Sequence, residues 1–468
     1  MRLLLTTHQF LPDYTSGTEI LTFKVAKELQ NRGHEVTVFT GYPAQRLMKE
    51  SERFDRYVYE GITVNRFYYA NIPLGNQDNI IEAEYNNLFF ADYFRQYLIE
   101  FKPDIVHFFH LSKLSASAID ICVDLGIPRV MTTTDFWLVC PTNQLRLPDG
   151  KLCNGPNRSS VNCLRHIVEI SQSSKTHARL RTLPDWLVTL LIWIIKNKLL
   201  PKLWFSDYVS SLVDRQQFMK NRMNKLDRVL VPTRLMQNIL QNNGLNPNLI
   251  SYLPYGLDVE NIIPDDNKGS KKELRVGFIG TLFEHKGPHL LLEAVHYLLP
   301  DLAIDLKIYG NLEDFPAYVA KLHEIAKDDP RIKFCGTFPN QEIGKILAGL
   351  DVLVVPSIWY ENTPLVIYSA QAASCPVIAT NLGGMSEVIQ HEVNGLLFEK
   401  GNIVELANSI HRLHEDRMLL KSLAINSVNP KSIQEYVSEV DAIYNKVARE
   451  RELSKKSLSL VLRQSDSP

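Results

Sequence analysis

Two loops in this sequence combine residue types suited to holding a phosphate-bearing ligand. The first, Gly280-Thr281-Leu282-Phe283-Glu284-His285-Lys286-Gly287, follows an apolar, β-branched run and precedes a helical pattern from Pro288 to Leu298. A strand end, permissive glycines, a helix start with free N–H groups and one ammonium group together suit an anion. The Gly-Lys-Ser/Thr order of a Walker loop is absent, and Lys286 reads equally well as a solvated loop charge. The second loop, Pro356-Ser357-Ile358-Trp359-Tyr360-Glu361-Asn362-Thr363-Pro364, follows the run Val352 to Val355 and opens a helix. Glu361 there is placed to complement the helix dipole. It is also placed to take sugar hydroxyls while the neighbouring amides take phosphate. A third, weaker signal is Ser16-Gly17-Thr18-Glu19, which leads from His8-Gln9-Phe10-Leu11-Pro12 into a helix expected near Ile20. It fits either an anion or ordinary capping.

Cys140, Cys153, Cys163 and His166 form a legal tetrahedral zinc set, and the Cys-x2-His pair has a usable spacing. The other spacings are loose, so inert packing and a redox-labile pair stand beside the metal reading. Six cysteines scattered over 468 residues do not make a secreted disulfide framework, and a reducing compartment is expected.

Positioning these residues requires a scaffold of strands ending in loops. Short runs of strand character alternate with helical patterns from the first residue, as in parallel sheets covered on both faces. In one stretch the strands are Leu3 to Leu5, Val36 to Phe39, Ile105 to Phe108, Val130 to Thr132 and Arg228 to Val231. In the other they are Arg275 to Ile279, Leu306 to Tyr309, Ile332 to Phe334, Val352 to Val355 and Val377 to Ala379. The polar, aperiodic segment Pro264 to Lys272 separates the two stretches. The expected fold class is α/β, two Rossmann-like doubly wound domains facing across a cleft, with functional residues in the loops after the strands. The first domain spans 1–260, with a loop-rich and then helical insertion near 140–225, and the second spans 270–430.

Composition narrows the functional classes. Hydrophobic residues make up 45% and charged residues 22%, so the chain can bury large cores. Fifty-one Lys+Arg against 52 Asp+Glu leave a charge of −1, and no global field selects nucleic acid or an acidic membrane. Met1 to Leu5 starts like a leader, but the apolar run stops at Thr6-Thr7-His8 and reads as a first strand. Trp186 to Ile195 is about half of a bilayer crossing. With Trp193, Trp204, Lys196, Lys198 and Lys202 it permits an interfacial helix, a groove for a lipid-linked or extended acceptor, or simply more core.

Taken in order, Phe10-Leu11-Pro12, Ser16 to Glu19, Arg32-Gly33-His34-Glu35-Val36, Pro254-Tyr255-Gly256-Leu257-Asp258, the Gly280 to Gly287 loop, Glu361 to Ser369, Gly383-Gly384-Met385-Ser386-Glu387 and Asn394-Gly395 resemble glycosyltransferase family 4. The resemblance spans nearly the whole chain. It implies a GT-B fold and retaining transfer of a sugar from a nucleoside diphosphate sugar to a carbohydrate, lipid-linked or small-molecule acceptor, with neither metal nor cofactor. By position, Lys286 is similar to the family's diphosphate-binding lysine, and Glu361 to the first glutamate of its Glu-x7-Glu motif. Leu365 and Val366 match amides that meet phosphate, and Thr363 lies in the same turn. Gly17 matches the glycine loop that faces the diphosphate from the first domain. His110 matches a histidine near the transferring carbon.

Three positions depart from the family pattern. Ser369 replaces the second glutamate that grips ribose, Thr281 stands where many relatives carry arginine, and Thr134 replaces a histidine before Asp135-Phe136-Trp137. Exchanging a charge-assisted ribose contact for a neutral one costs about 1 kcal/mol. On this reading the leaving phosphate itself takes the acceptor proton. A C-terminal helix at 431–453 is expected to pack back on the first domain, ahead of a disordered tail at 454–468. A cytoplasmic location is expected, with peripheral contact at the inner membrane face. A sugar-nucleotide epimerase or hydrolase, and a non-catalytic carbohydrate- or partner-binding relative, are the rival readings.

Overall fold

The computed structural model describes residues 1–75, 77–171, 182–199, 206–259, 262–265, 268–327 and 329–465. Lys202 and Trp204 of the expected interfacial segment, Asp266 and Asn267 of the expected boundary and residues 466–468 of the expected tail lie outside them. The chain divides into two compact units. One is Met1–Pro232 with Met236–Pro254 and Gln434–Pro468, and the other is Thr233–Leu235 with Tyr255–Ile433.

The first unit carries an eight-stranded sheet. Its strands are β1 (Arg2–Thr7), β2 (Glu35–Pro43), β3 (Phe54–Tyr59), β4 (Ile62–Tyr69), β5 (Ile105–Phe108), β6 (Arg129–Thr132), β7 (Arg228–Val231) and β8 (Ile250–Tyr252), in the spatial order β3-β4-β2-β1-β5-β6-β7-β8. Every pairing is parallel except β3 with β4, a hairpin closed at Glu60-Gly61. The central strands read as continuous apolar runs because helices cover both faces, and Leu3, Leu4, Leu5, Ile105 and Val106 are fully enclosed. Part of that cover comes from the far end of the chain. Helix Ile433–Ser465 sets Tyr444 Oη 2.5 Å from His107 Nδ1 and Tyr436 Oη 3.3 Å from Thr132 Oγ1, with all four side chains buried. Burial pushes the His107 imidazole down to about 3, so it is a neutral member of this network.

The second unit has six strands, all parallel: β9 (Leu274–Ile279), β10 (Ile304–Tyr309), β11 (Ile332–Gly336), β12 (Val352–Val355), β13 (Val377–Thr380) and β14 (Gly395–Phe398), in the order β11-β10-β9-β12-β13-β14. Lys268 lies in the polar stretch expected to be a boundary. Its ammonium is buried within this unit on the carbonyls of Leu347 and Leu350, 2.8 and 2.6 Å away.

Sequence patterning captured the ten strands named above and missed the β3–β4 hairpin, β8 and β14. The hairpin sets β3, with no buried position, at the margin of β4, where Ile62, Val64, Asn65 and Phe67 are buried. It adds an antiparallel margin to an otherwise parallel sheet.

Candidate active site

Strand order determines where each unit can hold a ligand. In the second sheet the chain runs outward from β9 through β10 to β11, then restarts beside β9 with β12 and runs the other way. The loops after β9 and β12 therefore diverge, and the space between them is the topological switch point at which open α/β sheets bind ligands. The Gly280 to Gly287 loop follows β9, and Pro356 to Pro364 follows β12. Ile358 N donates to His285 O at 2.9 Å and ties the two loops together.

Lys286 and Glu361 meet at this point, with Nζ 2.6 Å from Oε1. The same Oε1 accepts from Trp359 Nε1 at 2.8 Å and Ser357 Oγ at 2.9 Å. Burial alone would raise the Glu361 carboxyl. The Lys286 charge and hydrogen bond outweigh it, helped by Trp359 and Ser357, and hold the group below the usual glutamate range. A depressed carboxyl contributes stability above its unfolded value, and that contribution is lost as pH falls through the folded one.

Two close approaches allow this geometry. Gly287 has φ +73°, and a Cβ there would lie 2.0 Å from Pro356 O. Gly384 donates to Glu361 O at 3.0 Å, and a Cβ on it would lie 1.5 Å from Asn362 O. Only glycine fits either place.

The remaining expected residues of this unit surround the pair. Helix Leu365–Ala372 begins at Leu365 and Val366, with Pro364 at its N-cap, so its first amides have no partner within the helix. Thr363 is buried, and its Oγ1 has no hydrogen-bond partner among the described residues. Thr281 is exposed on the first loop. Ser369 is buried and donates to Leu365 O one turn back, at 3.2 Å. Ser357 and Trp359 were not singled out from sequence. Their signal was proximity, four and two residues before a carboxylate in a loop at a strand end.

The first unit has its own switch point, between β1 and β5. His8 follows β1 and His110 follows β5, and their rings lie 4.3 Å apart. His8 Nε2 is 3.4 Å from Glu19 Oε1, and His110 Nε2 is 2.7 Å from Asp135 Oδ2. Ser112 N donates to His110 Nδ1 at 3.0 Å, so both nitrogens of the expected site histidine are already engaged. His8 Nδ1, Glu19 Oε2 and Trp137 Nε1 are buried without partners among the described residues. Burial and the neighbouring His110 push His8 down to about 3, and burial pushes the Glu19 carboxyl up to about 7. Gly17 is the first helical residue of Gly17–Asn31, one turn earlier than Ile20, because Ser16 adopts the extended N-cap conformation and Ile20 N already bonds to its carbonyl. His8 and Asp135 were legible only through the rule that strand ends carry function.

Cys140, Cys153, Cys163 and His166 line one small cavity. Among the described residues no group of three His, Cys, Asp or Glu side chains is arranged to hold a metal ion. Burial pushes the Cys163 thiol up to about 12.

Two parallel α/β units of this kind, each with a switch-point site, define a GT-B protein. Solved structures share the fold. Anabaena HepE in complex with UDP and glucose has a TM-score of 0.61 at 18% identity, covering 95% of this chain and 99% of that one. WaaG, a glycosyltransferase involved in lipopolysaccharide biosynthesis, has a TM-score of 0.57 at 14% identity, covering 94% and 99%. The Glycosyltransferase Family 4 model matches residues 15–189, and the model described as Glycosyl transferases group 1 matches residues 273–416. Both units thus match glycosyltransferase models, the first unit that of family 4.

Among curated relatives, the Escherichia coli UDP-Gal:alpha-D-GlcNAc-diphosphoundecaprenol alpha-1,3-galactosyltransferase is 30% identical over 43% of this chain and 55% of its own length. The D-inositol 3-phosphate glycosyltransferase of Corynebacterium glutamicum is 26% identical over 45% and 54%. The chain spans about half the length of these relatives.

Proposed function

We propose that this protein is a retaining glycosyltransferase that moves a hexose from a nucleoside diphosphate sugar to a glycan, lipid-linked or small-molecule acceptor. The observation that carries the reading is the Lys286–Glu361 pair at the second unit's switch point, with Thr363 and the first amides of helix Leu365–Ala372 in the same turn. Lys286 and the amides hold the diphosphate, Glu361 and Thr363 take donor-sugar hydroxyls, and Ser369 offers its oxygen lone pairs to the ribose. The names of the Escherichia coli relative and of the HepE complex support a uridine donor.

In the reaction the bond between the anomeric carbon and the diphosphate oxygen breaks and the acceptor oxygen bonds to that carbon on the same face. The acceptor proton passes to the leaving diphosphate. Negative charge grows on that group as the bond breaks, and fixed donors placed there lower the barrier. On the first unit, Gly17 is the residue assigned to the diphosphate and His110 the one assigned to the transferring carbon. Because both ring nitrogens of His110 are engaged, it acts by packing and orientation.

An acceptor carried on lipid fits the helix Asp185–Lys196. Trp186 and Trp193 are 67% and 55% exposed on one side of it, Leu190 lies between them, and Lys196 stands at its end. Among the described residues no helix is long and apolar enough to cross a membrane.

The test is thermal stabilisation by a panel of UDP-, ADP- and GDP-sugars, followed by acceptor-dependent release of nucleoside diphosphate. Release that needs an acceptor supports the transferase. Conversion without acceptor supports an epimerase or hydrolase, and absence of any nucleotide binding supports a binding protein.

A further inference from the structure

We infer that the first unit carries an aromatic platform for a neutral sugar ring of the acceptor. The inference rests on the transferase reading and names the acceptor's chemical class. Four tyrosines stand at the carboxyl ends of adjacent strands. Tyr14 follows β1, Tyr42 ends β2, and Tyr68 and Tyr69 end β4, where Tyr42 pairs in register with Tyr68. All four are half-buried. Tyr14 meets Tyr42 edge-on at 5.9 Å, and Tyr42 meets Tyr68 edge-on at 5.6 Å, so successive rings present faces at different angles.

The charge beneath them is cancelled. Arg66 sits 5.1 Å from the Tyr42 ring and 5.3 Å from the Tyr68 ring, and its guanidinium is gripped by both oxygens of Asp55 at 2.8 and 2.6 Å. Tyr68 Oη donates to the same carboxylate at 2.9 Å. Arg66 is therefore spent in holding the rings, and the surface offers π faces and phenols rather than a net field. A phosphate or carboxylate gains little on such a surface. A pyranose gains more, since its C–H faces rest on the electron-rich ring faces while its hydroxyls reach the phenols and the Asp13 carboxylate beside Tyr42.

The platform adjoins the first unit's switch point. A Cβ on Gly41 would lie 2.9 Å from His8 O, 3.2 Å from Lys113 Cβ and 3.3 Å from Tyr69 Cδ1. The missing side chain is what lets β2 pass close to the His8 loop and to Tyr69 of β4. Lys113, in the loop after β5, completes the rim with its ammonium 5.5 Å from the Tyr69 ring centre. A sugar on these rings would lie beside the loop that carries His8.

Saturation-transfer NMR on the full chain tests this, with methyl glucoside, galactoside, mannoside, rhamnoside and N-acetylglucosaminide as probes. At least one probe should receive saturation on its ring protons. That signal should fall about ten-fold in the Tyr14→Ala/Tyr42→Ala double variant and stay within about two-fold in Tyr42→Phe, which keeps the face. The inference is overturned by equal signals in wild type and double variant, by no signal from any hexoside, or by saturation of octyl glucoside confined to its alkyl chain. Titration of wild type with UDP, ADP and GDP separates the two readings. UDP binding without any hexoside signal defeats the platform alone, whereas absence of binding by UDP, ADP and GDP alike defeats the donor assignment in the second unit.

Discussion

The two units share one topology and treat it in opposite ways. Each reverses strand order once, and each gathers its polar side chains in the loops flanking that reversal. In the second unit the reversal holds a formal ion pair whose carboxylate oxygen Oε1 collects three donors. In the first, burial pushes both His8 and Glu19 toward their uncharged forms, and His8 Nδ1, Glu19 Oε2 and Trp137 Nε1 are left without partners among the described residues. The contrast teaches that a switch point supplies position, and that its electrostatic character is set by which side chains occupy the loops. A preformed charge pair suits a ligand carrying charge of its own, whereas uncharged donors, acceptors and tyrosine faces suit hydroxyl-bearing rings.

The contrast breaks most decisively in the second unit. Lys286→Ala and Glu361→Gln should each cut acceptor-dependent nucleoside diphosphate release by about 100- to 1,000-fold while far-UV circular dichroism stays unchanged. Near-wild-type release in either variant would remove the catalytic meaning of the pair. Next in size is the glycine that lets the two loops meet. Gly287→Ala must fit a methyl group 2.0 Å from Pro356 O at φ +73°, and denaturant titration should show a loss of about 2–4 kcal/mol. Gly33→Ala serves as the reference, with φ +84° but nothing within 4 Å, and should cost only about 1 kcal/mol.

The first unit yields the third prediction. A carboxyl raised to about 7 contributes stability below its unfolded value near 4.5 and loses it as pH climbs through 7. His8, lowered to about 3, has the opposite sign and costs stability as pH falls below 6.5. His110 and Asp135 face both groups. Glu19→Gln should therefore remove the alkaline loss, adding on the order of 2 kcal/mol at pH 8 and little at pH 5. Parallel stability curves for variant and wild type across that range would show that Glu19 is not held neutral. The smallest expected effect is Ser369→Glu. It should tighten nucleotide affinity about five-fold by calorimetry, and unchanged affinity would count against a ribose role at that position.

Much of this was legible in advance because it is local. Alternating apolar runs announced parallel sheets, and a lysine and a carboxylate each followed a recognisable strand. Pro288 with Gly287 before it marked a helix start. The β3–β4 hairpin was equally local in its signal, yet the expectation of uninterrupted β–α alternation concealed it. Lys268 shows the converse, a residue polar by type in a turn-rich stretch that folding nonetheless encloses on two carbonyls.

Residue order alone thus determined the strands, the glycine turns and the types of side chain that follow them, since propensity and periodicity act within a few residues. Only the tertiary structure decided that Lys286 and Glu361, 75 positions apart, share a proton-bearing contact, that His110 spends both nitrogens, and that Tyr14, Tyr42 and Tyr68 form one surface. Those outcomes depend on the order in which strands lie side by side. That order is set by the cooperative burial of whole sheet faces, to which no short segment contributes enough to reveal it.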